Sequence, residues 1–415
     1  MLAWFQRTFT ALESRSFRTL WFGSFFSMVA FFMSSAAQAI VAFDLTGNNA
    51  SVGFVIFGQG FAQLFLAPFG GALADRLPKK PLIIFFQAII MAVFTSIAIL
   101  IWLDLIAIWH LVTASFITGM SFSFMGPARQ AYVVDLVEEG RRGNAVALNQ
   151  VALNASRVLG PAVAASLIAW EVSGGGGAYM TMAAFYFFTI IATFMLPPSH
   201  GGGTQRSVLG DIGGGFQYVA GHPRLRTLIP FFILLIMFGL PYVTIMPGFV
   251  KTDLGKGEAG IGLMLAAQAA GGLLASLAVA GLADSPSALK IYSGAGLLFG
   301  ASLLATSASP NLLAALGAMF VAGIGSGAFQ TLNSAVVIRE SDPRFFGRVM
   351  SLTMTAFAGF ALMGLPIGFL ADAIGERATL ACMGGAIIAV VIVFTLLLSR
   401  IPVTPPALPS AEAAG

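Results

Sequence analysis

Twelve windows of about 20 apolar residues succeed one another along this chain, and no soluble fold accommodates such a series. They fall at 19–43, 51–74, 81–103, 105–127, 145–170 and 177–197, and again at 227–250, 259–283, 288–308, 310–337, 347–373 and 377–400. A hydrocarbon core of about 30 Å takes roughly 20 residues of α-helix to cross, and its backbone amides must be paired within the segment. Each window is therefore read as a membrane-spanning helix; the short alternating segments of a membrane β-barrel are missing. Composition agrees, with 58% hydrophobic and 9% charged residues in 415. This excludes disorder, a disulfide scaffold and a soluble enzyme. The predicted fold class is an all-α membrane protein. It has an N-terminal six-helix half over 1–197, a central loop over 198–226, a C-terminal six-helix half over 227–400 and a disordered tail over 401–415.

The basic residues orient this arrangement. With the N-terminus inside, every Lys and Arg except Lys251, Lys256 and Arg377 falls on the cytoplasmic side, Arg129 and Arg157 being counted there. Such a bias is what sets topology, and one missed helix would scramble it. Both termini are expected in the cytoplasm. The first window is too long for a signal-peptide core and is read as retained. No long basic run points to nucleic acid, and the single Cys382 forms no internal disulfide.

An internal match supports two halves. Ala131 to Gly143, after the fourth window, resembles Ala335 to Gly347, about 204 residues later and again after a fourth window. The same offset brings Gly160-Pro161 close to Gly364-Leu365-Pro366. Parallel repeats of this kind build transporters that rock around a site at the bilayer midplane.

Two motifs are more specific. Between spans two and three the chain reads Gly71-Ala-Leu-Ala-Asp75-Arg76-Leu-Pro78-Lys79-Lys80. This resembles the major facilitator superfamily signature Gly-x-x-x-Asp-Arg/Lys-x-Gly-Arg-Arg/Lys, with Pro78 replacing the second glycine and so denying the turn a positive φ. The resemblance implies that Asp75 meets the positive N-terminal end of span eleven, near Gly347-Arg348, and latches the cytoplasmic gate. The alternative is an ordinary solvated basic loop. Span five carries Ser156-Arg157-Val-Leu-Gly160-Pro161-Ala-Val-Ala164-Ala165, similar to the superfamily's antiporter signature with Ser and Ala in place of three glycines. Small residues there allow close helix contact and Pro161 a bend, which plain packing would also explain. Arg157 is placed at or just inside the cytoplasmic edge, either as a functional intramembrane charge or snorkelling to phosphate.

With Pro127-Ala-Arg129-Gln130, Gly143-Asn144 and Ser16-Phe-Arg-Thr-Leu-Trp21, the chain resembles the macrolide-efflux and enterobactin-exporter branch of that superfamily. The resemblance implies a major facilitator fold, a multi-pass protein of the bacterial inner membrane, and a central cavity lined by spans one, four, seven and ten. Gln38, Ser115, Tyr242 and Asn333 are the expected cavity residues, with interhelical hydrogen bonding as the alternative for each. Two departures matter: Ser115 stands where many drug–proton antiporters carry Arg, and Phe31 stands where many relatives carry an acid.

Asp44, Asp104 and Glu171 lie near the outer face, where a solvated helix end explains them, and no span centre offers an obvious carboxylate. The expected activity is proton-coupled export of a bulky amphipathic molecule, drug- or siderophore-like, by a monomer in the lipid bilayer. A facilitator or lysophospholipid flippase without a proton is the alternative, and a non-transporting receptor a weaker one. An enzyme is disfavoured: the Gly-x-x-x-x-Gly-Lys-Ser/Thr phosphate loop is missing, and His110, His200 and His222 are scattered. No cofactor or metal is expected.

Overall fold

The computed structural model describes residues 13–137, 142–170, 173–199, 216–280, 282, 285, 287–342 and 345–399. It is all-helical over these residues. The first six helices are α1 (Arg15–Thr46), α2 (Asn49–Arg76), α3 (Lys79–Trp102), α4 (Ile108–Asp135), α5 (Arg142–Ala169) and α6 (Gly174–Phe194). The seventh expected span divides into α7 (Pro223–Gly239), α8 (Tyr242–Gly248) and a π-helical turn (Phe249–Asp253). Then follow α9 (Glu258–Ala280), α10 (Ala288–Ser307), α11 (Leu312–Glu340), α12 (Phe346–Ile374) and α13 (Glu376–Ser399). Eleven helical stretches among the described residues are long and apolar enough to cross a membrane, and α12 contributes a shorter apolar segment, Gly359–Ile374.

Local chemistry explains the helix ends. The Ser14 hydroxyl accepts from the Phe17 amide at 3.3 Å to cap α1. At the other end Gly47, at φ 68°, closes the helix in the left-handed conformation that glycine adopts without a steric penalty. The break in span seven falls at Gly239 to Pro241, where the missing proline amide and the glycine weaken the ladder. Trp102, Trp109 and Trp170 lie exposed at the ends of α3, α4 and α5 that share one face, as amphipathic rings do at a membrane–water boundary.

The helices gather in two clusters, α1–α6 and α7–α13, that touch through α2 with α12 and α5 with α9. Inside each cluster a similar glycine seam recurs. In the first, a Cβ on Gly119 of α4 would collide with the Gln59 backbone of α2. In the second, a Cβ on Gly323 of α11 would collide with the Gln268 backbone of α9. Without side chains at these points the paired backbones approach closely enough to pack without a hydrophobic driving force.

The stretch expected as a central loop is partly structured. Residues 216–221 are helical, and Tyr218 stacks on Phe345 at 4.2 Å between centroids and accepts from the Asp342 amide at 2.8 Å. Arg224 pairs with Glu340 at 2.8 Å. The second cluster thus begins before 227, because aromatic and ionic contacts draw the end of the connection onto the α11–α12 turn. The tail at 401–415 lies outside the described residues.

Candidate functional site

The two clusters meet on the face that carries the C-terminus of α1 and the N-terminus of α2. Asp372, at the end of α12, accepts from the Asn49 amide at 2.8 Å, the Asn49 Nδ2 at 3.1 Å and the Ala50 amide at 2.9 Å. These amides open α2, so a carboxylate from one cluster caps a helix of the other and meets the positive end of its dipole. Asn49 Nδ2 also donates to Glu376 of α13 at 3.0 Å. Beside it, Lys251 of the π-helical turn pairs with Asp44 of α1, and with Glu258 of α9 at 2.6 Å. Arg377 pairs with Asp253 at 3.1 Å and donates to the Ser307 and Ser309 carbonyls.

Close backbone approach accompanies these bonds. A Cβ on Gly53 would lie 2.7 Å from the Gly364 carbonyl oxygen and 2.8 Å from the Leu365 Cα. One on Gly368 would lie 2.6 Å from the Asn49 carbonyl oxygen. Asp44, expected as a solvated helix end, is instead part of an ionic bridge between clusters. Two of the three basic residues expected outside, Lys251 and Arg377, are engaged at the same face.

Span five shows what its small residues do. Gly160 seats against α1, where a Cβ would meet the Phe32 Cβ at 2.6 Å and the Met33 amide at 2.9 Å. Ala165 fills the space over Gly262 of α9, so α5 bridges the clusters. Pro161 sits inside α5, between these two contacts.

Arg157 is not at the membrane edge. It lies 12 residues before the end of α5 at Ala169, about 18 Å at 1.5 Å per residue, past the midpoint of a hydrocarbon core of about 30 Å. The reading from sequence failed because the polar residues before it, Asn149, Asn154 and Ser156, imitate the end of a span. Its guanidinium lies over the Phe32 ring at 5.7 Å, in the middle of α1. Its side chain is exposed, and one and two turns further along α5 Pro161 and Ala165 pack on Gly262 of α9, so it stands where the two clusters adjoin. Phe31 stacks on Phe122 of α4 at 4.6 Å and against Phe32 at 5.5 Å, extending an aromatic wall from the same region.

The four expected cavity residues separate. Tyr242 is buried at the break in span seven. Gln38 is buried with its Nε2 unpartnered. Asn333 accepts from the Tyr292 hydroxyl at 2.9 Å and keeps an unpartnered Nδ2. Ser115 is fully buried, and its hydroxyl donates to the Val55 carbonyl at 2.5 Å across the α2–α4 seam. That hydrogen bond joins two helices of one cluster, so the alternative of interhelical bonding describes Ser115.

Of the gating loop, Gly71, Asp75 and Arg76 end α2, and their side chains, like those of Gly347 and Arg348, lie outside the described residues. Lys79 and Lys80 open α3 and are half-buried. Lys80 Nζ donates to the carbonyls of Phe194 at 2.9 Å and Leu196 at 2.5 Å, a positive group on the C-terminal end of α6.

Arg129 was not singled out by its chemistry in the sequence. It is 6% exposed, inside the first cluster, with Nη1 donating to Ser27 Oγ at 2.6 Å, Nη2 3.5 Å from Met125 Sδ and Nε unpartnered. The signal was present in the apolar residues on both sides of it, but its nearness to the end of span four favoured a loop reading.

The model of the family described as transmembrane secretion effector, within the major facilitator superfamily, matches residues 6–411. The chain belongs to that family. Membership makes it a multi-pass membrane transporter rather than an enzyme, and its bacterial relatives place it in the bacterial inner membrane. Macrolide efflux protein A of Streptococcus pyogenes is 28% identical over 161 residues, 38% of this chain and 39% of that protein. The match therefore spans well under half the length of that relative.

Solved structures confirm the fold. A POT family transporter in complex with a thioalcohol-conjugated peptide superposes with a TM-score of 0.74 at 12% identity, covering 93% of this chain and 96% of the other. The nucleoside transporter NupG gives 0.73 at 15%, covering 93% and 100%. A bacterial homolog of the human lysosomal transporter Spinster gives 0.71 at 14%, covering 93% and 95%. The chain thus shares the fold of these transporters.

Proposed function

We propose that this transporter exports bulky amphipathic small molecules from the bacterial cytoplasm, by rocking helices α1–α6 against the helices of the second half, in exchange for protons. The observation that carries this reading is the seam between clusters. Its bonds join groups of opposite clusters at one face, and at mid-depth Phe31, Phe32 and Phe122 form an aromatic wall beside Arg157. A seam of helix caps and ion pairs can break and re-form, whereas a fused apolar core could not. The basic residues gathered at the opposite face support assigning the seam to the outer side. The efflux activity named for the streptococcal relative supports outward transport. Asp75 is then the counterpart of Asp372: Gly71-x-x-x-Asp75 ends span two on one face as Gly368-x-x-x-Asp372 ends span eleven on the other.

A second reading, movement without a coupled proton, is favoured by one observation: the mid-depth charge brought between the clusters is the cation Arg157. The two readings differ in what drives flux. Cells expressing the chain and preloaded with a fluorescent amphipathic dye are treated with nigericin, which removes the pH gradient. Proton exchange predicts that export slows at least tenfold; undiminished export sinks it and leaves the second reading. Asp75→Asn should reduce dye export about tenfold at unchanged expression, and export at the wild-type rate would return the loop to a solvated basic turn.

A further inference from the structure

We propose that Arg157 is an anion-binding site for the transported molecule, so that the cargo is an aromatic amphiphile bearing a negative charge, such as a carboxylate, phenolate or sulfonate. This rests on the export reading above and names the substrate class for it.

An arginine at mid-depth is costly unless it is paired or faces water. Among the described residues no carboxylate pairs with Arg157; its guanidinium lies over the Phe32 face at 5.7 Å. The side chain is exposed, on the helix that packs against α1 of its own cluster and α9 of the other. The planar fork of a guanidinium matches carboxylate, sulfonate or phosphate in two-point geometry. The adjacent Phe31, Phe32 and Phe122 offer ring faces and edges for the apolar body of the same ligand. Arg129, by contrast, is enclosed in the first cluster with Ser27 and Met125 and faces no such space.

An anionic cargo changes the energetics. Each negative charge leaving a cell that is negative inside by 100 mV gains about 2.3 kcal/mol, an accumulation of about 50-fold without any titrating carboxylate. This drive is what the second reading above, movement without a coupled proton, requires, and under the first it adds to the proton gradient.

Two xanthene dyes of opposite net charge test this: anionic sulforhodamine B and cationic rhodamine 6G. Binding to the full chain in lipid nanodiscs is read by fluorescence anisotropy against empty discs. Sulforhodamine B should bind at least tenfold more tightly than rhodamine 6G. Arg157→Gln should weaken it at least tenfold, and Arg157→Lys, which keeps the charge but not the two-point fork, should recover part of the affinity and guards against misfolding. Equal binding of the two dyes, no binding of sulforhodamine B, or unchanged affinity in Arg157→Gln would overturn the site.

In proteoliposomes with equal pH on both sides, a valinomycin-set potential should accumulate sulforhodamine B on the positive side. Binding that depends on Arg157 with no accumulation under either a potential or a pH gradient would sink the export reading and leave the anion site standing. Export of both dyes regardless of charge would do the reverse.

Discussion

Replacing Gly53 by Leu should abolish export while leaving the helices of each cluster intact. A Cβ at this position already meets the Gly364 carbonyl oxygen and the Leu365 Cα at 2.7 and 2.8 Å, and both are backbone atoms that cannot rotate away. Overfilling a packed contact costs about 1–3 kcal/mol for one or two methylenes. Here the obstruction lies between two bodies rather than inside one, so the strain is relieved by parting α2 from α12. The whole cost then falls on the state in which this face is closed. At about 3 kcal/mol its population relative to the open state drops roughly 100-fold, and turnover, which must pass through that state, drops with it. Spin labels at Asn48→Cys and Lys256→Cys, with the exposed Cys382 replaced by Ser, would read the separation across the seam. The distance should lengthen in Gly53→Leu, with a melting temperature within a few degrees of the parent. Gly53→Ala should show the same change in weaker form. Wild-type export in Gly53→Leu would mean that this approach is not part of the cycle.

The helices were legible because their signal is local. Every apolar window found its helix, with ends displaced by a few residues in most cases and more at α4, which runs on to Asp135. Span seven was the exception in form: Pro241 and Pro247 were visible, but a window average cannot distinguish a straight helix from one broken at Gly239 and finished as a π turn. The site was less legible because it is made of distant pairs. Asp372 and Asn49 are 323 positions apart, and a Gly-x-x-x-Asp at the end of a span says nothing about which helix it will cap. Asp44 read as a solvated terminus because the partner that changes its meaning, Lys251, is 207 positions away. Arg157 illustrates a different failure. Hydropathy scores the company a residue keeps along the chain, whereas the solvation of an intramembrane charge depends on the space between helices.

Asp372 supplies the second large effect, and it acts in the same direction by a different term. Its carboxylate serves two orphan amides at the start of α2 and the Asn49 carboxamide, and only while the clusters touch. Loss of such a cap costs about 0.5–2 kcal/mol, and the exposure of the side chain argues against a larger figure. Asp372→Ala should therefore lower the closed-to-open ratio at this face by about 2- to 30-fold, the factor that 0.5–2 kcal/mol represents. Asp372→Asn retains an acceptor and should fall between the two, because amide and carboxylate cap a helix about equally well while only the carboxylate meets the dipole with charge. The same spin-label pair would grade the three proteins, with wild type most closed. Asn49→Ala, which removes the bonds to Asp372 Oδ1 and Glu376 from the side chain but keeps both backbone amides, should cost less than Asp372→Ala. An equal or greater opening in Asn49→Ala would assign the hold to the carboxamide and Glu376 rather than to the capped helix end.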